Sequence, residues 1–261
     1  MADPIHQFQI EKVLDLPDVT LPGIGLVDLA ITNSHIAMTL AFAAIVLFLT
    51  LVTANAKVVP GRLQVVGEEL FGLIDNLTDS IIGHDGRKYF PFVFTIFLMI
   101  LAMNLLGMAL SFTATSQLAV TATFAAVTFG LVLAIGFAKN GWRFILLFWP
   151  MGAPLGMRPF VGLIEFFSFM LRPITLALRL FGNMMGGHVA LKVFAGFVVA
   201  LGAMAAGGGF GILGIPGAAL SMSMVVGLTA LEFLVAFLQA FVFAVLTCIY
   251  LNDVVNLGDA H

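Results

Sequence analysis

Along this chain the polar positions are bunched, and between the bunches lie runs of some twenty side chains without a charge. Residues 35–56, 89–112 and 118–137 are such runs. Each matches the ~20 apolar residues that an α-helix needs to cross a ~30 Å hydrocarbon layer, and none shows the alternation of a membrane β-barrel strand. Only helices and closed barrels satisfy every backbone group inside lipid. The runs therefore predict transmembrane helices. Residues 62–83, RLQVVGEELFGLIDNLTDSIIG, instead repeat apolar side chains at helical spacing opposite Glu68, Glu69, Asp75 and Asp79. That pattern predicts an amphipathic helix lying on the membrane surface or packed on the bundle.

The C-terminal part differs. Residues 158–203 and 212–251 are apolar runs that, at ~1.5 Å per helical residue, reach roughly 60 Å, about twice the hydrocarbon thickness. Such helices must tilt, bend or overhang. AAGGGFG between them reads as a turn, so the two fold back as an antiparallel hairpin. The expected fold is all-α and integral to the membrane, with five transmembrane helices plus an amphipathic surface helix in one domain. Residues 1–34, polar and punctuated by Pro and Gly, precede a helix start at TNSH.

Composition agrees, with 61% of residues hydrophobic and 10% charged, against about 45–50% apolar in soluble domains. A net charge of −3 without a Lys/Arg cluster among aromatics points away from nucleic acid. Cys248 stands alone, which excludes an internal disulfide and thiolate metal sites. No metal or cofactor is expected. No GxxxxGK[ST] loop occurs, so nucleotide chemistry must belong to partner chains. The N-terminal MADPIHQFQIEKVLDLPD carries acids and prolines before any apolar run and does not read as a cleavable signal.

The connectors after the first and third spans hold Lys57, Arg62, Arg87, Lys88, Lys139, Arg143 and Arg158. The positive-inside rule makes them cytoplasmic, which puts the N-terminus outside and the C-terminus inside. Trp142 and Trp149 suit an interfacial position in the last of these connectors.

Charges inside spans cost roughly 2.5–3.5 kcal/mol on insertion scales and mark pathways or pairs. The first long helix carries Glu165, Arg172, Thr175, Arg179, Asn183, His188 and Lys192; the second carries Glu232 and Gln239. At ~100° per residue, Glu165, Arg172, Thr175, Asn183 and Gly186 lie within about 40° of Arg179, while His188 faces the opposite way. Folding the hairpin at residues 207–209 levels Arg179 with Gln239, and His188 with Glu232 roughly 10–13 Å nearer the outside. This arrangement suggests a cation pathway in which an acid and an imidazole titrate in a wet half-channel while a guanidinium that keeps its proton blocks direct passage. A carboxylate brought near Arg179 would release its proton.

The residues alone leave plainer readings open. Arg179 could pair with Glu165 or a backbone carbonyl, and His188 with Glu232 could be a packing contact. Asn183 and Gln239 could be interhelical glue, Glu165 a solvated charge, and Asn104 either a packing or a pathway group. The acidic amphipathic helix reads as a docking face. Other function classes fit less well. A secondary transporter would show matching broken helices in both halves, a haem or quinone cytochrome needs axial histidines at one depth, and a purely structural subunit gives no reason for a midplane arginine.

RPITLALRLFGNMMGGH and LEFLVAFLQAFVFAVLTCIYLND closely resemble the two signature helices of subunit a of the F-type ATP synthase. GRKYFPFVFTIFLMILAMNLLG resembles the same family, and the opening DPIHQFQI resembles its bacterial form. The resemblance implies a proton-translocating stator subunit in a bacterial inner membrane, with a steeply tilted terminal hairpin. It implies partners in the c-ring, the b-type peripheral-stalk subunits and the rest of the synthase. Arg179 would be the essential stator arginine facing the rotor carboxylates, with Gln239 beside it and Asn183 in the polar lining. His188 and Glu232 would belong to the outer half-channel, exchanged relative to relatives that carry the acid first and the histidine second. Glu165 would sit by the cytoplasmic half-channel, with Arg172 and Thr175 between it and Arg179.

Overall fold

A computed structural model describes residues 12–15, 19–21, 25–27, 30–54, 56–110, 112–142, 144, 156–207 and 214–256. The opening DPIHQFQI, Trp149 with most of its connector, and the tip of the hairpin turn lie outside the described residues. Six α-helices follow four short strands among those residues. The helices are α1 (Asn33–Ala54), α2 (Arg62–Ile82), α3 (Gly86–Ala109), α4 (Leu118–Asn140), α5 (Arg158–Ala206) and α6 (Gly214–Val255). All but α2 are long and apolar enough to cross a membrane.

Ahead of them, β1 (Lys12–Asp15) pairs antiparallel with β4 (Ala30–Thr32), and β2 (Val19–Leu21) with β3 (Gly25–Val27). The sequence reading found no strand here. Pieces of three or four residues are too short for a period-two pattern to register.

α2 turns Gly67, Ile74, Thr78 and Ile82 inward. A side chain at Gly67 would strike Val52 Cγ1 at 2.7 Å, so the missing Cβ lets α2 close on α1. Gly83 (φ 77°) ends α2 in a conformation that favours glycine, and the chain turns into α3. α1 buries little beyond Ser34 and Ala41, and its remaining apolar surface suits lipid. Phe97, Leu176, Leu180, Phe243 and Leu251 are fully buried in the core shared by α3, α5 and α6.

α5 and α6 run antiparallel along their length. Contacts pair Arg172 with Asp253, Asn183 with Gln239, His188 with Glu232, and Leu201 with Gly214. The 49 residues of α5 reach roughly 73 Å at ~1.5 Å each. Pro173 lies inside α5 without ending it.

One end of the bundle gathers the α2–α3 corner and the ends of α4 and α6. Lys139 Nζ at the end of α4 lies 2.9 Å from Asp85 Oδ2, and Lys88 Nζ lies 3.3 Å from Asp85 Oδ1. Asn140 donates to Val254 O at 2.7 Å and Asn256 to Ile82 O at 3.2 Å. The end of α6 therefore shares a level with the α2–α3 corner and the end of α4. The uncharged segment 112–117, between α3 and α4, lies at the other end.

Candidate functional site: polar levels along the α5–α6 seam

Three polar levels are stacked along the seam. At the level nearest segment 112–117, His188 and Glu232 are 6% and 4% exposed. His188 Nδ1 stands 3.2 Å from Glu232 Oε1, and His188 Nε2 lies 2.9 Å from Thr113 Oγ1. Gly187 makes room for the acid, since a Cβ there would lie 2.9 Å from Glu232 Oε1.

About 13 Å along α5, nine residues back at ~1.5 Å each, stands Arg179. Its side chain is exposed on the outer face of the helix. It makes no ion pair or hydrogen bond among the described residues. One turn on, Asn183 donates to Gln239 Oε1 at 2.8 Å. Gly182 and Gly186 border the same face, and a Cβ added to either would meet nothing within 4 Å inside this chain. Behind the seam Asn104, fully buried, donates to Ala236 O at 3.1 Å.

At the third level, Arg172 Nη1 reaches Asp253 Oδ2 at 2.6 Å and Nη2 lies 3.7 Å from Glu165 Oε1. The guanidinium also stands 5.3 Å from the Phe169 ring centre and 5.1 Å from that of Tyr250. Thr175, exposed, donates to Arg172 O at 2.9 Å. Arg172 and Arg179 start from one helical stripe but diverge. Asp253 draws the Arg172 guanidinium into the α6 seam, whereas Arg179 stays outward.

Several buried polar atoms at the site have no hydrogen-bond partner among the described residues: Glu232 Oε1 and Oε2, Gln239 Nε2 and Asn104 Oδ1. Each costs about 1–3 kcal/mol to bury unpaired, a cost that helix packing alone gives no reason to bear. No group of three His, Cys, Asp or Glu side chains among the described residues could hold a metal ion.

A family model described as ATP synthase A chain matches residues 35–252. The chain is 48% identical over 257 residues to the ATP synthase subunit a of Rhizobium leguminosarum bv. trifolii (strain WSM2304), covering 98% of each. With that of Rhodopseudomonas palustris (strain BisA53) it shares 48% identity over 259 residues, covering 99% of this chain and 100% of the relative. The chain belongs to the ATP synthase subunit a family. It is thus a multi-pass membrane subunit of a proton-translocating ATP synthase and works as one part of a larger complex.

Within this family member, the sequence reading missed two residues that the structure brings to the polar levels. Asp253 lies beyond Leu251, where the sequence reading ends the last helix, and the level that pairs Arg179 with Gln239 sets Arg172 opposite Leu246, about two turns short of it. Thr113 lies in an uncharged loop 75 positions from His188, and neither periodicity nor charge marks it.

Proposed function

We propose that this chain is the stator against which a ring of carboxylate-bearing c subunits turns, with two offset half-channels separated by Arg179. The observation that carries the reading is the contrast along α5. Arg179 is exposed and makes no internal ion pair or hydrogen bond among the described residues, while His188 is buried against Glu232. A permanent cation left unpaired inside a span is costly. An opposing carboxylate on a partner subunit removes that cost, and the open space at Gly182 and Gly186 lets such a partner approach.

In this reading protons arrive from outside through His188 and Glu232 and pass toward Asn183 and Gln239. They load a rotor carboxylate and are released to the cytoplasm after the ring has turned. Near Arg179 the rotor acid is forced to ionise, because an adjacent fixed cation favours its charged form. Glu165 and Thr175, with Arg172 and Asp253, border the cytoplasmic half-channel. The basic connectors and the C-terminus then lie in the cytoplasm and the N-terminus outside, in a bacterial inner membrane. The b-type peripheral-stalk subunits hold the chain against rotation.

Replacing the barrier tests this. Arg179→Ala should leave the complex assembled in the membrane and abolish ATP synthesis driven by a proton gradient. Normal synthesis by an assembled Arg179→Ala complex would remove the assignment.

A further inference from the structure

We propose that Thr113 is a positioning residue for the proton relay. By accepting a hydrogen bond from His188 Nε2 it holds the imidazole in the tautomer that leaves Nδ1, the nitrogen nearer Glu232, unprotonated, so that one proton is exchanged between Glu232 Oε1 and His188 Nδ1. The inference rests on the proton-path reading above and deepens it.

A threonine hydroxyl has one hydrogen and two lone pairs. Thr113 Oγ1 has two close neighbours, Gly107 O at 3.0 Å and His188 Nε2 at 2.9 Å. A carbonyl can only accept, so the hydrogen goes to Gly107 O. That carbonyl lies two residues from the end of α3, among those that a helix terminus leaves without an intrahelical donor. Oγ1 therefore meets Nε2 with a lone pair, and Nε2 carries the ring hydrogen. In a neutral imidazole Nδ1 is then the acceptor.

Nδ1 stands 3.2 Å from Glu232 Oε1, an ion-pair contact that is not aligned as a hydrogen bond, so the carboxyl must turn into line before a proton passes. One proton placed between them sits either on Oε1, beside a neutral imidazole, or on Nδ1, giving an imidazolium beside a carboxylate. The transfer moves that proton from the Oε1–H bond to the Nδ1 lone pair and leaves Nε2–H untouched. With the opposite tautomer a hydrogen already occupies Nδ1, and a proton on Glu232 has no acceptor in the ring.

The surroundings hold the hydroxyl in place. Thr113 is fully buried, and Ser116 Oγ donates to its carbonyl at 2.6 Å. A Cβ at Gly107 would come within 2.9 Å of Thr113 Oγ1, so the bare backbone there is what lets the hydroxyl reach both partners. Among the described residues, Glu232 from α6 and Lys192 from its own helix are charged groups that act on His188. The C-terminal half of α3 and segment 112–117 contain no charged residue.

The test compares Thr113→Val, which keeps the shape and loses the hydroxyl, with Thr113→Ser, which keeps it. Both are made in the assembled complex in inverted membrane vesicles. Proton flux is measured across pH, and the ring nitrogens are observed by ¹⁵N-histidine NMR, with the His188 signals identified by their loss in His188→Gln. Thr113→Val should lower flux about ten-fold, the worth of one such hydrogen bond, and alter the pH profile. Thr113→Ser should stay within about two-fold of the parent with the parent profile, and neutral His188 should be protonated on Nε2 in the parent. Parent flux and profile in Thr113→Val, or a parent imidazole protonated on Nδ1, would overturn the proposal. If the valine variant fails to assemble, the parent spectrum and the serine variant's profile still decide it. His188→Ala separates the two claims: a blocked His188→Ala beside an unaffected Thr113→Val defeats this inference alone, while a freely conducting His188→Ala defeats the proton path itself.

Discussion

Asn183 donates to Gln239 Oε1 across the α5–α6 seam at 2.8 Å, one turn from Arg179. The bond orients both amides while leaving Gln239 Nε2 without a partner among the described residues. Asn183→Ala deletes the donor and leaves the whole Gln239 amide unpaired, at a cost of about 1–3 kcal/mol. Proton flux should fall several-fold, because the amide loses its fixed orientation. Passive leak should stay at the parent level, because the Arg179 charge is intact. Flux and leak measured in the same vesicles check this, and a leak uncoupled from rotation would assign part of the barrier to Asn183.

Gly187 isolates the geometry of the acid from its chemistry. In Gly187→Ala the new Cβ would sit 2.9 Å from Glu232 Oε1 and 3.3 Å from Cδ. The end of a flexible side chain yields more readily than a helix, so the carboxylate should swing away from His188 while the hairpin stays packed. The expected result is lowered flux with unchanged thermal stability of the complex. Gly196→Ala on the same helix is the control. A Cβ there would meet nothing within 4 Å, and exchanging Gly for Ala in a helix interior is worth up to about 1 kcal/mol in its favour. Equal flux in the two variants would argue against a tight His188–Glu232 geometry.

The helices were legible because their solvent is lipid: an uncharged run long enough to span it has few alternatives. Level-matching across the hairpin works because an antiparallel pair admits one alignment once its turn is located, which sets His188 at the level of Glu232. The same reasoning puts Gln239 at about the level of Arg179 but says nothing of contact, and the bond from Asn183, one turn on, is not legible because amide reach and rotamer are not written in residue spacing. Thr113 and the strands were not legible for a common reason. Each depends on how a short, uncharged, non-periodic segment docks, and that is decided by tertiary packing.

Asp253 is the main partner of Arg172 in a half-buried cluster, their side chains 31% and 22% exposed. Asp253→Asn would leave the guanidinium with Glu165 at 3.7 Å and two aromatic faces. Exposed pairs are worth up to about 1 kcal/mol and breaking buried ones costs about 3–5 kcal/mol, so a loss of about 1–2 kcal/mol is expected. A double-mutant cycle with Arg172→Gln, read by thermal unfolding of the complex, should return a coupling of that size. Additive effects of the two substitutions would show that the 2.6 Å contact contributes nothing.

Asp85 gives a pH dependence at the basic end of the bundle. Its hydrogen bond from Lys139, reinforced by that from Lys88, holds its carboxyl below the ordinary aspartate value. A group whose pKa is lower in the folded state adds stability above its unfolded value, and that stability is lost as pH falls through the folded value. The tie between the α2–α3 corner and the end of α4 should therefore be at full strength above about pH 4, near the ordinary aspartate pKa, and weaken on further acidification. Both partners are exposed, so the effect should be small and shrink with salt. Asp85→Asn should lose this acid-side component and Lys139→Gln the larger part of it, since Lys88 still pairs with Asp85. Amide hydrogen exchange of residues 83–88, followed from pH 6 to pH 3 after correction for intrinsic rates, measures it directly. An unchanged acid-side slope in both variants would mean that the two helix ends are held by Asn140 and Asn256 alone.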